Sequence, residues 1–413
     1  MAVEDQRGPS VVPGSGAAHG GSGTTRRRHR VLIGLALTLA VLLIGALVAS
    51  FVPVPYYAIT PGRALDVSSL IKIGAAKGSG AVTAPRLVPH RGGVLLTDVE
   101  LIPLRAIDYP YFAWFDHDAT VIASGALTGP ATAAQYNEQG VIDMANARQA
   151  ATVVALRTLG YPVRAKASGV IVYQAEPGSP AAAALRVDDV ITAIGSQPVT
   201  TFASLGAGVS PHAPGDVVAL HVRRFSSGRR RVVRVRLGSE RVLTVSGARY
   251  EVCRPVGSPT GPRLYEPKGV PIACLGLLEA PGGGGSEIAY TVSGLPFPVN
   301  LEAEGIVGPS AGLAFTLGLL DKLDRADLTG GRRVAATGTM SIDGNVGDVG
   351  GVAQKTVAVR NAGADVFLVP PQELAVARAR AGSHLRVFAV SNISQAIRVL
   401  ERVGGVLRSV RPS

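Results

Sequence analysis

The chain has 413 residues, 47% of them hydrophobic, which is enough for two or three domains with their own cores. Its 51 Gly and 28 Pro, with aromatics at only 5%, suit short strands and turns and argue against long coiled coils. The net charge of +12 comes from arginine clusters without interleaved aromatics, which argues against nucleic-acid binding and for attraction to an anionic membrane or wall surface.

Residues 1–30 form a Gly/Ser/Pro-rich basic tail, expected to be disordered, that ends in Arg26, Arg27, Arg28 and Arg30. The next 22 residues, Val31 to Val52, carry no charge and at ~1.5 Å per residue can span a bilayer core of ~30 Å. Arginines on the N-terminal side predict a single-pass anchor with a cytoplasmic N-terminus and an extracytoplasmic body. A cleaved signal peptide is the rival reading, because "LVAS" offers small residues at a cut site. An apolar core of this length exceeds the usual ~7–15 residues of such peptides.

Residues 53–155 read as a first exported segment. "GGVLLTDVELIPL" alternates as a strand, and "AAQYNEQGVIDMANARQAATVVALRTLG" forms one amphipathic helix stopped by Gly160 and Pro162. This segment shows no chemistry. Residues 156–240 alternate short strands, turns and helices and end in an arginine-rich hairpin around "SSG". "GSPAAAALRVDDVITAIGSQPV" and the following "GDVVALHVRR" resemble a PDZ domain. The resemblance implies capture of an extended, usually C-terminal, peptide on a strand edge. That edge is Val170, Ile171, Val172 and Tyr173, with Ser168 and Gly169 offering amides to a terminal carboxylate. The opposing reading is a spacer domain with an empty groove.

Residues 241–413 form the last domain. Its front half is strand and loop, with "PGGGGSE" as a flexible connection; its back half alternates helix and strand as a parallel α/β unit does. The fold class is therefore a multidomain α+β chain. Cys253 and Cys274, an even pair in an exported chain, are expected to form a disulfide worth roughly 3 kcal/mol in the chain-entropy model, with two free thiols as the alternative. No metal is expected, since His384 is this domain's only histidine.

Within "GIVGPSAGLAFTLGLLDKL", Ser310 sits between a Gly-Pro turn and an apolar helix. On helix rules alone it is an N-cap. The small residues Gly308, Ala311 and Gly312 nevertheless let a substrate backbone approach, and the free amides of a helix start can hold an oxyanion. A nucleophilic serine needs a base. Only six of the 41 basic residues are lysines: Lys72, Lys77, Lys166, Lys268, Lys322 and Lys355. Lys322 lies more than three turns down the same helix, and Lys268 sits in a solvated Pro/Gly loop. Lys355 falls in the first turn of "GVAQKTVAVRNAG", where burial and a helix N-terminus both disfavour an ammonium. A lysine paired with Asp348 is the alternative, and His384 before a strand reads as a loop residue.

"GPSAGLAFTLGLLDKL", with "ATGTMSIDGNVGDVGGVAQKTVAVRNAGADVFLVP" beyond it, resembles the proteolytic domain of Lon, and the whole arrangement resembles membrane-anchored, PDZ-containing Lon-like proteases. The resemblance implies a Ser-Lys dyad with Ser310 as nucleophile and Lys355 as base. It also implies that Thr337 hydrogen-bonds to the lysine and that the protein is a homo-oligomer acting on polypeptides. The sequence has no GxxxxGK[ST] run, so neither ATP nor any other cofactor is expected. Val307-Gly308 replaces the acidic residue that Lon domains often carry before GPSAG, and the preceding "FPVNLEAEG" is short. The competing reading is a tethered PDZ adaptor with an inactive Lon-like domain.

Overall fold

The structure, a computed structural model, describes residues 22–74, 92–129, 131–245, 248–259, 264–265, 270–278, 288–303, 305–324 and 326–408. Most of the basic tail, Lys77, Lys268 and the "PGGGGSE" connection lie outside the described residues. The chain divides into two compact units, Met1–Val54 with Leu104–Tyr111, and Pro55–Pro103 with Phe112–Ser413.

The smaller unit is built on α1 (Ser22–Ala49). Its segment Leu32–Ala49 has a mean hydropathy of 2.8 and none of its residues is buried, which makes it long and apolar enough either to cross a bilayer or to serve as a signal sequence. The chain returns to its end through backbone bonds from Ala106 N to Val52 O (2.9 Å) and from Ile107 N to Ala49 O (3.3 Å).

The larger unit contains two principal sheets. The elements of its first half are β1 (Pro53–Asp66), β2 (Gly93–Arg105), β3 (Thr120–Ala123), α2 (Ala133–Thr158), β4 (Arg164–Ile171), α3 (Pro180–Ala184), β5 (Asp189–Ile194), α4 (Phe202–Val209), β6 (Val217–Arg224), β7 (Arg230–Arg236), β8 (Gly238–Val245) and β9 (Ala248–Arg254). The second half adds β10 (Ile288–Ser293), α5 (Gly312–Leu323), β11 (Arg333–Ala336), α6 (Val352–Asn361), β12 (Val366–Val369), α7 (Leu374–Arg380), β13 (Arg386–Ala389) and α8 (Ile393–Arg402).

The first sheet has the order β13-β12-β11-β2-β1-β3, with β13, β12, β11 and β2 parallel. Strand alternation sorts its side chains between two cores. Val94, Leu96, Val334, Ala336, Val366 and Leu368 face the core shared with α2, α5 and α8. Leu95, Ala335, Phe367 and Val369 face the opposite core with α6 and α7. Helix α5 is buried on every side except at Lys322, which explains an apolar sequence with no polar face. Half of this sheet comes from residues 53–155, where the sequence offered no chemistry.

The second sheet has the order β7-β6-β5-β4-β10 and is antiparallel throughout. Its last strand, β10, comes from beyond residue 241 and completes the sheet of the segment before it. The PDZ-like strands are thus inserted between α2 and β10, both of which pack with the first sheet's layers. The sequence shows these segments one after another, whereas in the fold the pieces interleave. Cys253 and Cys274 are bonded, with Cα atoms 5.8 Å apart, and both flank β8. Glu176 ties this bridge to the PDZ-like part by accepting from Cys253 N at 2.8 Å and pairing with Arg254.

Candidate active site

Three segments, around Ser310, Thr337 and Lys355, carry the polar groups of interest. The loop before α5 narrows to Gly308, whose φ of 91° is a conformation that side chains resist. Its amide donates to Gly140 O on α2 at 2.7 Å. Pro309 then starts a 3-10 turn, Pro309–Ala311, which runs directly into α5. The cap residues are therefore Gly308 for the turn and Ala311 for the helix rather than Ser310, and no side chain caps either. The hydroxyl of Ser310 is half-buried and is not consumed by the capping role that helix rules assign to it.

The turn is clasped to the end of β11. Ser310 O accepts from Gly338 N at 3.0 Å and from Thr337 Oγ1 at 3.3 Å, and Leu313 N donates to Gly338 O at 3.1 Å. Thr337 is fully buried, and its amide donates to Leu368 O at 3.0 Å. Its hydroxyl thus holds the serine's backbone, a different partner from the lysine that the Lon resemblance implies. Ala311 is buried beside it, and Gly312 is forced by space: a Cβ there would lie 2.7 Å from Met340 N. Gly312→Ala is expected to displace the turn, destabilising the fold by about 1–3 kcal/mol and lowering any Ser310-dependent reactivity, as read by denaturant midpoint and probe labelling together.

Lys355 is 3% exposed on α6, behind Gly351, which has a φ of 69°. Its equally buried neighbours are saturated: Gln354 Nε2 donates to Thr120 Oγ1 (2.8 Å), and Thr356 Oγ1 donates to Val352 O (2.6 Å). Among the described residues the Lys355 amine forms no ion pair, and Asp348 does not pair with it. Burial pushes its pKa from 10.5 down to about 8, while the more distant carboxylates of Asp98 and Glu373 pull the other way. Asp98 is itself held by Arg63, whose guanidinium lies 3.3 Å away. The chain thus contains a desolvated amine that sheds its proton not far above neutrality.

The other candidates are placed differently. Lys322 donates to Ser68 O (2.6 Å) and Ile71 O (2.9 Å), and His384 is exposed in the turn between α7 and β13. The predicted peptide edge is taken by the chain itself. Along β4, Gly169 and Val170 face Ala289 and Ile288 of β10, and Ser168 Oγ donates to Ala289 O at 3.1 Å. Ile171 and Val172 pair toward β5, with Val172 N donating to Asp189 O at 2.7 Å. Tyr173 is clasped by α2: Gln139 Nε2 donates to its carbonyl and its hydroxyl donates to Asp143 Oδ1, each at 2.7 Å. Burial pushes the Asp143 carboxyl up to about 6, against the pull of that bond.

Helix α2 therefore holds both the Ser310 loop and the PDZ-like strand, a role not legible in its sequence. One signal was present: Gly140, a costly glycine in a helix interior, where a Cβ would sit 3.1 Å from that of Val307.

The PDZ domain family matches residues 121–237, and the Lon protease (S16) C-terminal proteolytic domain matches residues 303–400. No curated protein matches the chain. The chain therefore joins a PDZ domain to a Lon-type proteolytic domain and is a Lon-like, PDZ-containing peptidase.

Proposed function

We propose that the chain is an ATP-independent serine endopeptidase in which Ser310 is the nucleophile and Lys355 its base. The observation that supports this reading is the desolvated amine of Lys355, without an ion pair among the described residues, at the position to which the motif resemblance assigns the base. The neutral amine accepts the Ser310 proton as Oγ attacks the scissile carbonyl. The amides of Gly308, Gly312 and Leu313 are already committed to Gly140, Pro309 and Gly338, so the oxyanion falls to the amides of Ser310 and Ala311. The protonated lysine then gives its proton to the leaving amine. The same lysine takes a proton from water as it attacks the ester carbonyl, and returns that proton to Ser310 Oγ as the acyl C–O bond breaks, which restores the free serine and the neutral amine. Thr337 keeps the Ser310 backbone in register. A serine-directed probe should label Ser310 of the full chain without nucleotide and fail to label the Lys355→Ala chain; equal labelling of both removes Lys355 as the base.

Anchoring through α1, with the arginine-flanked end in the cytoplasm, places the peptidase on the outer face of the membrane. Substrates are then tails or unfolded segments, since no powered unfolding is available. Because β10 fills the β4 edge, the PDZ domain takes a peptide by strand exchange, with the incoming segment replacing β10. Lys166 and Thr291 lie directly opposite across this pair. A Lys166→Cys/Thr291→Cys disulfide is expected to slow cleavage of an unfolded protein about 10-fold while leaving Ser310 labelling by a small probe intact. Equal protein cleavage by locked and single-cysteine chains counts against exchange.

A further inference from the structure

A cavity of about 530 Å³ lies on the second sheet, within the ~300–1,000 Å³ typical of small-molecule sites, and all five strands contribute to its lining. At the β7–β6 end the lining is cationic, from Arg223, Arg230 and Arg231 with the His221 imidazole beside them. At the other end Thr192 on β5, Ser168 on β4 and Thr291 on β10 contribute hydroxyls. Among the described residues no carboxylate lines it.

The charges are unevenly answered. Arg231 pairs with Asp189 Oδ2 at 2.7 Å, and the same carboxylate takes Arg224 at 3.3 Å. Arg223 and Arg230 stand directly opposite each other across the β6–β7 pair, and among the described residues neither forms an ion pair or a side-chain hydrogen bond. Like charges in that register repel. Charges on an edge strand guard it against stray pairing, which accounts for Arg230 and Arg234 on β7. It does not account for Arg223, half-buried on the interior strand β6. An anion held between the two guanidiniums turns the repulsion into two attractions.

A carboxylate has two oxygens in one plane, which a single guanidinium fork uses up, whereas a tetrahedral phosphate can direct oxygens to two forks. The hydroxyl end suits different groups. Thr192 Oγ1 donates to His221 O at 3.0 Å and Ser168 Oγ to Ala289 O at 3.1 Å, so both hydroxyls meet the cavity as acceptors and suit a ligand with O–H donors of its own. We infer that the cavity is a binding site for a phosphorylated polyol, with the phosphate between Arg223 and Arg230 and the polyol along the hydroxyls. Such groups occur free and as lipid headgroups.

The full chain in an uncharged detergent is dialysed against radiolabelled sn-glycerol 3-phosphate. Saturation at one equivalent per chain is expected, with Arg223→Gln and Arg230→Gln each weakening binding about 10-fold. Arg234→Gln, on the same strand but outside the cavity lining, should leave binding unchanged. Without ligand the Arg223 and Arg230 variants should melt no lower than wild type, because each removes one of two like charges. Inorganic phosphate should displace the label, and glutarate, a dicarboxylate, should do so about 10-fold less well. Tighter binding of glycerophosphoglycerol than of glycerol 3-phosphate assigns the site to lipid headgroups, and the reverse order assigns it to free polyol phosphates. Four results overturn the site: no saturable binding, equal weakening by Arg234→Gln, tighter binding of glutarate or an acidic peptide, or a lower melting point in the Arg223 or Arg230 variant.

Discussion

Lys355→Met is expected to abolish turnover and at the same time to stabilise the fold. The wild-type amine is buried, and its pKa falls from 10.5 in the unfolded chain to about 8 in the folded one. Below pH 8 both states carry the proton, and the fold bears the full cost of desolvating it. Between pH 8 and 10.5 the folded state is neutral while the unfolded state still binds a proton, so stability rises with pH; above 10.5 the difference is gone. At 1.36 kcal/mol per unit, the cost at pH 7 is roughly 3 kcal/mol. Methionine fills a similar volume without a charge, so at pH 7 Lys355→Met should gain up to about that amount, a gain that shrinks from pH 8 upward and is gone above pH 10.5. Peptidase turnover should fall by about 10³-fold or more, because the proposed mechanism gives Ser310 no base other than Lys355. The wild-type rate should rise with pH through an apparent pKa near 8 as the amine becomes neutral. Denaturant melts across pH, set beside initial rates, check both halves. A Lys355→Met chain that loses stability, or that keeps its rate, contradicts the reading.

Ser310→Ala separates the nucleophile from the helix cap just as sharply. A serine that caps a helix costs ~1 kcal/mol when replaced by alanine. Here the cap positions are Gly308 for the turn and Ala311 for the helix, no side-chain cap is made, and the contacts holding Ser310 run through its carbonyl, which alanine keeps. The stability change should therefore lie within about 0.5 kcal/mol, while turnover falls by a factor on the order of 10⁴–10⁶. Matched urea midpoints with lost cleavage, measured on the full chain, are the expected result. A shifted midpoint with preserved cleavage would return Ser310 to a structural role.

The strand-exchange proposal gives the sheet geometry a functional meaning. A PDZ edge already paired with β10 is shielded from adventitious peptides, since an unpaired strand edge is a general template for association. Strand β10 leads through the segment Val299–Leu301 to the Ser310 turn, and α2 touches both the turn and Tyr173. A peptide that displaced β10 would therefore act on a chain segment continuous with the nucleophile.

The sequence alone determined the features that are written within a short window. The uncharged run from Val31, the Gly-Pro turn before an apolar helix, the alternation of helix and strand beyond it, the PDZ strand-turn pattern and the paired cysteines each follow from periodicity, turn chemistry or composition. Only the tertiary structure decided that β10 closes the β4 edge, that residues 53–155 supply half of the sheet beside the Ser310 turn, and that the Thr337 hydroxyl binds Ser310 O. It also decided that Lys355 is buried without an ion-pair partner among the described residues, while Lys322, on the more apolar helix α5, is held by two carbonyls. The reason is physical. Strand partners more than a hundred residues apart, and the desolvation of one amine, depend on which surfaces the fold brings together, and no local pattern records that choice.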